Sequence, residues 1–403
     1  MINPRTKQRE LCYVVNIDRI ESIVGSDNCE AAVVGGWRVM TRKRTFQAGD
    51  KAVYFEIDSK VPETETFAFL APKHYKVKTQ KYTFGGKGLM ISQGLLMSFE
   101  DFGWDINAYE VGDFLTETLG VKYSVVEDNK RKASVDKYKR MAQRHAKLFK
   151  TNKLVQWLYA RTWGKKLLFL FLGNKRDKKA AFWPSWVVKT DEERVQNLPQ
   201  LFPPDDTEWF VTEKVDGTST TFTMKRLKRN KYEFYVCSRN VCFDKPEKEE
   251  KLFYETNVYI EMAIKYNAEE VLKNILETHN EFEFVTIQGE TYGKSVQQRD
   301  YHMDNVDFKA FNLIFGYKDG TTKRLNPREM TEILTNTYNI PCVPILDEHF
   351  KLPNSIDEMV AYADGDSVID DDYREGVVLR TADGVNSFKA VSNYYLTSKY
   401  GNN

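Results

Sequence analysis

A lysine flanked by two strand-like runs places the strongest constraint on the fold of this chain. Residues 209–212 read WFVT and residues 220–224 read TTFTM, and both runs have the aromatic and β-branched composition of buried strands. Residues 213–219 between them read EKVDGTS, in which Gly217 gives the backbone the freedom to turn. The pattern predicts a strand that carries Lys214 to the floor of a pocket, a turn, and a second strand.

A lysine in this position is a candidate nucleophile. Its amine attacks only in the neutral form, which burial or a neighbouring cation favours near neutral pH. Attack of Lys214 on a nucleotide α-phosphate would form a lysine–nucleotide phosphoramidate. The residues Lys-Val-Asp-Gly resemble the Lys-x-Asp-Gly signature of covalent nucleotidyltransferases, the class that contains DNA ligases, RNA ligases and mRNA-capping enzymes. The motif alone also fits a structural strand with a surface lysine, so its weight depends on the rest of the chain.

The cysteines and histidines are spaced as in a protein without disulfides or a structural metal. The five cysteines form no Cys-x-x-Cys pair and the five histidines lack zinc-site spacing, a usage typical of a reducing compartment. Residues 1–5 contain no secretory apolar region, and the longest dense apolar run, residues 167–172, is too short to span a bilayer. We therefore expect a soluble intracellular protein, cytoplasmic by default, without a membrane partner.

Positive charge is concentrated in the middle of the chain. Residues 130–179 contain 17 Lys and Arg but only two acids, a net +15, whereas the whole chain carries +1. Residues 135–153 favour a helix, because Lys, Arg, Ala and Gln abound and β-branched residues are few. We predict a basic helical connector over residues 126–180 that binds nucleic-acid phosphates. A solvated helix face stays open as an alternative, and adsorption to an anionic membrane ranks below nucleic-acid binding.

The first 125 residues have the spacing of a small β-barrel. Short strand-like runs separated by turn residues occur at 11–15, 31–34, 37–40, 52–57, 94–97 and 114–115. We predict an OB-fold domain over residues 1–125, because the OB-fold is the commonest barrel of this size in nucleic-acid enzymes. A small barrel without a nucleic-acid role is the alternative.

Residues 181–403 mix strands and helices without the regular alternation of a parallel sheet, so we predict an α+β domain with antiparallel sheets. Thr190 and Glu193 fit the capping box of a short helix through Asn197, in which Arg194 is expected to be structural. Further helices are predicted over residues 255–278 and 327–338.

Five side chains that suit nucleotide chemistry follow Lys214 in the sequence: Arg239, Glu290, Phe311, Glu375 and Lys389. Arg239 suits a phosphate, Glu290 a ribose hydroxyl or a metal-bound water, and Phe311 a purine ring. Lys389 could offset the charge that builds on the α-phosphate and lower the pKa of Lys214. Each stretch also has a structural explanation, but their joint order argues for nucleotidyl transfer.

Three carboxylates suit a divalent cation. Mg²⁺ bound to a triphosphate prefers oxygen ligands and keeps several of its waters. We therefore predict that Asp216, Glu375 and Glu290 hold a hydrated Mg²⁺ or Mn²⁺ through water rather than in a dry cage.

Several stretches ahead of Lys214 carry a narrower resemblance: Gly36-Trp, Ala48-Gly-Asp, Phe55-Glu-Ile-Asp-Ser, Gln93-Gly-Leu and residues 189–197. They resemble the ATP-dependent RNA ligases of the Deinococcus and Naegleria type, which carry an OB domain ahead of an adenylyltransferase domain. The match to ligase motifs I, Ia, III, IIIa, IV and V rests on Lys214-Val-Asp-Gly, Ser238-Arg-Asn, Gly289-Glu, Phe308-Lys-Ala-Phe, Glu375-Gly-Val-Val and Lys389. The resemblance implies that residues 181–403 are the adenylyltransferase domain. One departure is Val391, which stands where related RNA ligases often have a second lysine.

The resemblance implies ATP, a divalent cation and a monomeric enzyme that joins 3′-hydroxyl and 5′-phosphate ends. Lys214 would become adenylylated, AMP would pass to a 5′-phosphate, and a 3′-hydroxyl would displace it. Glu213 is implied to contact adenine and Phe311 to stack on it. The groups implied to contact phosphate, ribose or metal-bound water are Ser219, Arg239 and Glu290. The expected substrate is a nicked duplex with an RNA 3′-hydroxyl end.

Two rival interpretations stay open. A DNA ligase or a capping guanylyltransferase shares the motifs, although most of those enzymes carry the OB domain behind the catalytic domain. A non-catalytic nucleic-acid-binding protein with a degenerate transferase fold would explain Val391. The intact set of Lys214, Glu290 and Glu375 argues against that second rival.

Overall fold

The computed structural model describes residues 1–3, 9–84, 88–124, 148, 151–172, 183–239, 241–243, 257–398 and 400. Contacts divide the chain into two compact units, the first built from Met1–Glu127, Asp191–Asp216 and Val343–Asn403 and the second from Asp128–Thr190 and Gly217–Cys342. Of the helix predicted over residues 135–153, only 148 and 151–153 are among the described residues. The boundaries predicted at residues 125 and 180 stay predictions.

The N-terminal part of the first unit consists of short antiparallel strands, as predicted. Their bounds are Cys12–Asn16, Arg19–Ser22, Cys29–Val34, Trp37–Arg42, Lys51–Phe55, Ser59–Lys60, Gln80–Phe84, Gly88–Ser92, Leu95–Met97 and Lys122–Tyr123, with a 3₁₀ helix over Glu65–Lys73. The strand Lys51–Phe55 pairs with Cys12–Asn16 on one side and Leu95–Met97 on the other. Because side chains alternate along a strand, Val53 and Tyr54 enter different core clusters, and both faces of this strand are buried.

The first unit also contains a five-stranded sheet. Its strands lie in the order Glu193–Arg194, Ser387–Val391, Gly376–Thr381, Glu208–Glu213 and Ile345–Lys351. The first pair is parallel and the others are antiparallel. Val211, Leu379 and Phe388 are buried on this sheet with Met359 of the helix Ile356–Ala363. A second short helix, Asn393–Thr397, follows the strand Ser387–Val391.

The helix predicted to begin at Thr190 is not formed. Residues 190–192 are irregular, Glu193–Arg194 is a two-residue strand, and Val195–Asn197 is a single 3₁₀ turn. The prediction is wrong because the backbone at Glu193 and Arg194 pairs with Phe388 and Lys389, residues far along the chain.

The second unit is built on a six-stranded antiparallel sheet. Its strands lie in the order Cys242–Phe243, Tyr232–Ser238, Thr218–Arg226, Phe282–Gly293, Val306–Tyr317 and Thr322–Arg324. Phe222, Ile287 and Leu313 of the sheet pack with Leu272 and Met330 of helices in the same core. The α+β class with antiparallel sheets is thus as predicted.

The helices of the second unit differ in detail from the prediction. The bounds are Lys153–Tyr159, Thr162–Leu172, Val258–Lys265, Ala268–Thr278 and Pro327–Thr331, the last continued by a π-helical turn over Glu332–Thr337. The single helix predicted over 255–278 is two helices, because Asn267 takes a left-handed conformation with φ of 48°. In the described residues, no helix has the length and apolarity needed to cross a membrane.

Candidate active site

Lys214 and Glu375 form an ion pair at one end of the five-stranded sheet. The strand Glu208–Glu213 runs antiparallel to Gly376–Thr381, so the residue that follows the first strand lies beside the residue that precedes the second. Lys214 Nζ lies 2.6 Å from Glu375 Oε2, and the two side chains are 24% and 15% exposed. The Lys214 amide also donates to the Gly376 carbonyl at 3.0 Å, which fixes the main chain here. The structure therefore brings together the predicted nucleophile and one predicted metal anchor.

This ion pair bears on the predicted role of Lys214 as a nucleophile. An adjacent carboxylate stabilises the charged form of a lysine, whereas nucleophilic attack needs the neutral amine. We therefore predict that Lys214 attacks only after its contact with Glu375 is lost.

Lys389 lies in the same unit on the strand Ser387–Val391, and its Nζ donates to Asp191 Oδ1 at 2.9 Å. Burial lowers the pKa of Lys389 to about 8. Asp191 opposes that shift, whereas the nearby charges of Arg9, Arg194 and Lys214 add to it. The two predicted catalytic lysines are thus close enough for each to act on the charge of the other.

Asp191 was not singled out from the sequence as a site residue. It begins an acidic run at 191–193, which looked like the first turn of a helix. In the structure the run is irregular or extended, and Glu192 accepts a hydrogen bond from Ser387 at 2.5 Å. One indication of this role was present in the sequence, because Lys389 lies in a strand-like run and a lysine on a buried strand needs a nearby negative charge.

A buried network links the N-terminal strands to this sheet. The Glu56 carboxylate is fully buried and accepts hydrogen bonds from Arg9 at 2.9 Å, Tyr13 Oη at 3.1 Å and Asn197 Nδ2 at 3.0 Å. Burial alone would raise the pKa of Glu56, but the charges of Arg9 and the Met1 ammonium hold it at about 2. Asn197 also accepts from Trp37 Nε1 at 2.6 Å, which places Asn197 at the centre of the network.

Arg194 is the least satisfied buried side chain near Lys389. It is 5% exposed, and its Nη2 donates to Asp58 at 3.2 Å. Its Nε and Nη1 have no hydrogen-bond acceptor within the described part of the chain. Two buried guanidinium donors without an acceptor fit a bound oxyanion. Arg194 therefore becomes a candidate phosphate ligand, although a structural role was expected for it from the sequence.

Glu213 is the residue before Lys214 and is 1% exposed. Its carboxylate accepts hydrogen bonds from Ser367 Oγ at 2.6 Å and from the Val368 amide at 2.8 Å. The side chain thus anchors the loop that leads to Glu375. Its predicted contact with adenine stays a prediction.

Asp216 accepts a hydrogen bond from Tyr395 Oη of the helix Asn393–Thr397. No group of three or more His, Cys, Asp or Glu side chains converges as a metal cage among the residues that the structure describes. The prediction that Asp216 and Glu375 hold a hydrated cation through its waters stays a prediction.

In the second unit, Ser219 and Glu290 are directly opposite each other on neighbouring strands, and Glu290 is opposite Lys309 on the next strand. Directly opposite residues project from the same face of a sheet. Ser219 Oγ also lies 3.1 Å from Thr190 Oγ1. Position 217, two residues before Ser219, requires a glycine, because a Cβ there would lie 2.3 Å from the Thr291 carbonyl oxygen.

Phe311 occupies a β-bulge. Gln288 pairs with Asn312 but Gly289 pairs with Ala310, so Phe311 has no opposite residue on the neighbouring strand. A bulge re-aims the side chain that it carries. Phe308, by contrast, is fully buried in the core. The structure therefore separates a structural phenylalanine from one that is half-buried.

Arg239 is exposed at a bend after the strand Tyr232–Ser238. It lies close enough to Lys189 to affect its charge: burial lowers the pKa of Lys189, and the positive charge of Arg239 lowers it further. The second unit thus presents a pair of neighbouring cations beside the motif predicted to bind phosphate.

Residues 207–391 match the RNA ligase family model, and residues 11–98 match an OB-fold domain model. The chain carries an RNA ligase domain. Both the predicted family and the predicted N-terminal OB-fold are therefore confirmed. A search of curated protein sequences found no match.

Several solved structures of Naegleria gruberi RNA ligase are similar to this chain. The structure with PPi is 26% identical with a TM-score of 0.69, and the match covers 96% of this chain and 98% of that one. A mutant with ATP and Mn is 25% identical with a TM-score of 0.69, covering 98% and 100% of the two chains. A mutant with AMP and Mn is 26% identical, covers 96% and 98%, and has a TM-score of 0.69.

Proposed function

We propose that this chain is an ATP-dependent RNA ligase that joins 3′-hydroxyl to 5′-phosphate ends through a lysyl-AMP formed at Lys214. The observation that carries the proposal is the contact of 2.6 Å between Lys214 Nζ and Glu375, with Lys389 close by in the same unit. The similar Naegleria structures, which contain ATP, AMP, Mn or PPi, support the choice of nucleotide and metal.

The reaction has three balanced steps. The neutral amine of Lys214 attacks the α-phosphorus of ATP, a P–N bond forms as the nitrogen loses one proton to solvent, and the bond to pyrophosphate breaks. A 5′-phosphate oxygen of RNA then attacks the same phosphorus, and the P–N bond breaks as the nitrogen regains a proton from solvent, which restores the amine. Finally a 3′-hydroxyl loses its proton to solvent and attacks the RNA phosphorus, which expels AMP and closes the backbone.

Residues of the first unit supply positive charge to the first step. Lys389 is buried on a strand and fits stabilisation of the α-phosphate as charge builds in the transition state. Arg194 offers two buried donors without an acceptor in the described residues, which suits a phosphate oxygen of ATP. Lys389 is also predicted to favour the neutral form of Lys214, because like charges disfavour its protonation.

Glu375 and Asp216 fit a hydrated Mg²⁺ or Mn²⁺, and Glu290 of the second unit stays a predicted third contact through water. The cation, when bound, supplies charge that neutralises the triphosphate. The role of Glu375 in the first step is to release Lys214. Loss of the contact between them removes the carboxylate that stabilises the ammonium form of the lysine.

The roles of the remaining residues stay predictions: Glu213 and Phe311 at adenine, and Ser219 and Arg239 at phosphate or ribose. We also infer a nicked duplex with an RNA 3′-hydroxyl as substrate, a monomer in solution and a cytoplasmic location. The five cysteines, all among the described residues, are free thiols, which supports a reducing compartment.

The test is covalent labelling of the protein with α-labelled ATP and Mg²⁺ or Mn²⁺, followed by denaturing electrophoresis. The label should survive denaturation, be released by acid as expected of a phosphoramidate, and be absent from Lys214→Ala. Lys351→Ala is the matched control, since Lys351 lies on the same sheet and is 49% exposed. Label that persists in Lys214→Ala, or no label with either metal when pyrophosphatase removes the product, would reject the proposal.

A further inference from the structure

Residues 151–172 form a helical hairpin within the basic segment. Its helices are Lys153–Tyr159 and Thr162–Leu172, and Asn152 caps the first by accepting from the amides of the next turn. The helices approach closely at Gly164, where a Cβ would lie 2.0 Å from a carbonyl oxygen of the first helix. The inner face is a small core of its own, composed of Val155 and Leu168 with Leu148, Leu158, Tyr159 and Leu172.

The outer face of this hairpin exposes large apolar side chains. Leu154 is 64% exposed, Trp157 48%, Trp163 54% and Leu167 40%. The two indole rings meet edge to face with centroids 6.0 Å apart, so the exposed groups of the two helices form one surface. We call these four residues the aromatic face. A surface of this kind on a folded protein marks an interaction site.

One cation lies on a ring of the aromatic face, and a second lies beside a ring of the inner core. The Arg161 guanidinium lies 3.7 Å from the Trp157 ring centroid, and Lys165 Nζ lies 5.1 Å from the Tyr159 ring centroid. Residues 151–172 contain four Lys and Arg and no acid, and the surrounding residues 130–179 carry a net +15. The surface is thus complementary to a polyanion with flat apolar groups.

We propose that the aromatic face binds a single-stranded stretch of the RNA substrate, with bases stacked on Trp157 and Trp163 and phosphates contacted by the neighbouring cations. This inference rests on the proposed function. Single-stranded nucleic acids are bound in this way, by aromatic rings set among positive charges. A helix that adsorbs to a membrane instead separates its cations from its aromatic groups on opposite faces. Arg161 lies on the ring of Trp157, so the arrangement favours RNA.

The test is the affinity of the full chain for a labelled single-stranded RNA, measured by fluorescence anisotropy over a range of salt concentrations. The double variant Trp157→Ala/Trp163→Ala should bind at least about tenfold more weakly with the same salt dependence, because stacking is lost and phosphate contacts remain. Trp157→Phe/Trp163→Phe keeps the rings and should recover most of the affinity. Lys165→Gln/Lys166→Gln should lower the slope of log affinity against log salt by up to about 1.4, since each phosphate contact on a single strand contributes about 0.7.

Ile264→Ala is the matched control, because Ile264 is 74% exposed on another helix of the same unit. Formation of lysyl-AMP without RNA serves as an independent readout of the proposed function. If lysyl-AMP forms in every variant but the double alanine variant binds RNA as the wild type does, the inference is overturned and the proposed function stands. The inference is equally overturned if that variant loses binding to anionic phospholipid vesicles while its affinity for RNA is unchanged.

Discussion

The ammonium of Lys389 lies 2.9 Å from the carboxylate of Asp191, in a position where the lysine is 12% exposed. Burial lowers the pKa of Lys389 to about 8, and Asp191 is the charge that keeps it from falling further. The cation that would stabilise the α-phosphate is therefore protonated only in part above neutral pH. Asp191 acts as a positioning residue for it.

Replacing Asp191 by Asn should shift the pH dependence of Lys214 adenylylation. Loss of the carboxylate lowers the pKa of Lys389 below about 8, so the protonated form is lost at a lower pH and the rate should begin to fall at a lower pH. The measurement is the initial rate of adenylylation at saturating ATP between pH 6 and 9. Asp191→Glu keeps the charge and should restore the wild-type profile. A uniform loss of rate at every pH would instead indicate a purely structural role.

Replacing Glu375 by Gln should abolish most lysyl-AMP formation. The neutral amide cannot hold the waters of a cation as a carboxylate does, so a loss of about 100-fold or more is expected, as for loss of a transition-state contact. Raising the Mg²⁺ or Mn²⁺ concentration should recover part of the rate. Glu332→Gln, on an exposed part of the chain, controls for a general effect of losing one charge. A wild-type rate in Glu375→Gln would remove this residue from the proposed mechanism.

Replacing Arg194 by Lys should weaken adenylylation more than stability. Lysine keeps the charge but lacks the planar fork that would fill the two donor positions, so about a tenfold loss in kcat/KM for ATP is expected. Thermal unfolding without ATP should change little, whereas the stabilisation of the protein by added ATP should shrink. Equal losses of stability with and without ATP, at unchanged kcat/KM, would assign Arg194 to the fold alone.

Phe308 and Phe311 provide a matched pair of tests three residues apart. Phe308→Ala empties a fully buried core position and should cost about 3–5 kcal/mol of unfolding free energy. Phe311→Ala, on the bulge, should unfold within about 1.5 kcal/mol of the wild type but raise the KM for ATP, and Phe311→Tyr should restore the KM. An unchanged KM in Phe311→Ala would remove the ring from the adenine site.

The sequence predicted most of the strands, because each depends on a local pattern of β-branched and aromatic residues. Lys214 and Glu375 were predicted to belong to one site, but their direct contact was not predicted, because 161 positions separate them in the sequence. The segment at Glu193 and Arg194 was predicted as a helix, because its local pattern suits one and its partner strand at Phe388 and Lys389 cannot be read locally. Long-range pairing overrode local preference there.

The same limit explains the residues that the sequence undervalued. Asp191 and Arg194 belong to a charged run of ordinary composition. Only the fold places Asp191 beside Lys389, and only the fold leaves two donors of Arg194 without an acceptor in the described residues. The bulge at Phe311 depends on a register shift between Gln288 and Gly289, which no periodicity in one strand reveals. A chemical role can be predicted from the sequence where one residue type is indispensable to it, as in the role proposed for Lys214.

The antiparallel pairing of Glu208–Glu213 with Gly376–Thr381 also determines when these two strands can pair during synthesis of the chain. Lys214 leaves the ribosome 161 residues before Glu375, which at about 5–20 residues per second is a delay of roughly 8–30 s. During that interval the edge of the strand Glu208–Glu213 that later pairs with Gly376–Thr381 has no partner strand there. Such an unpaired edge can pair wrongly with another chain. The pair of Lys214 and Glu375 thus forms only after Glu375 has been synthesised, and until then this strand edge is a site of possible aggregation.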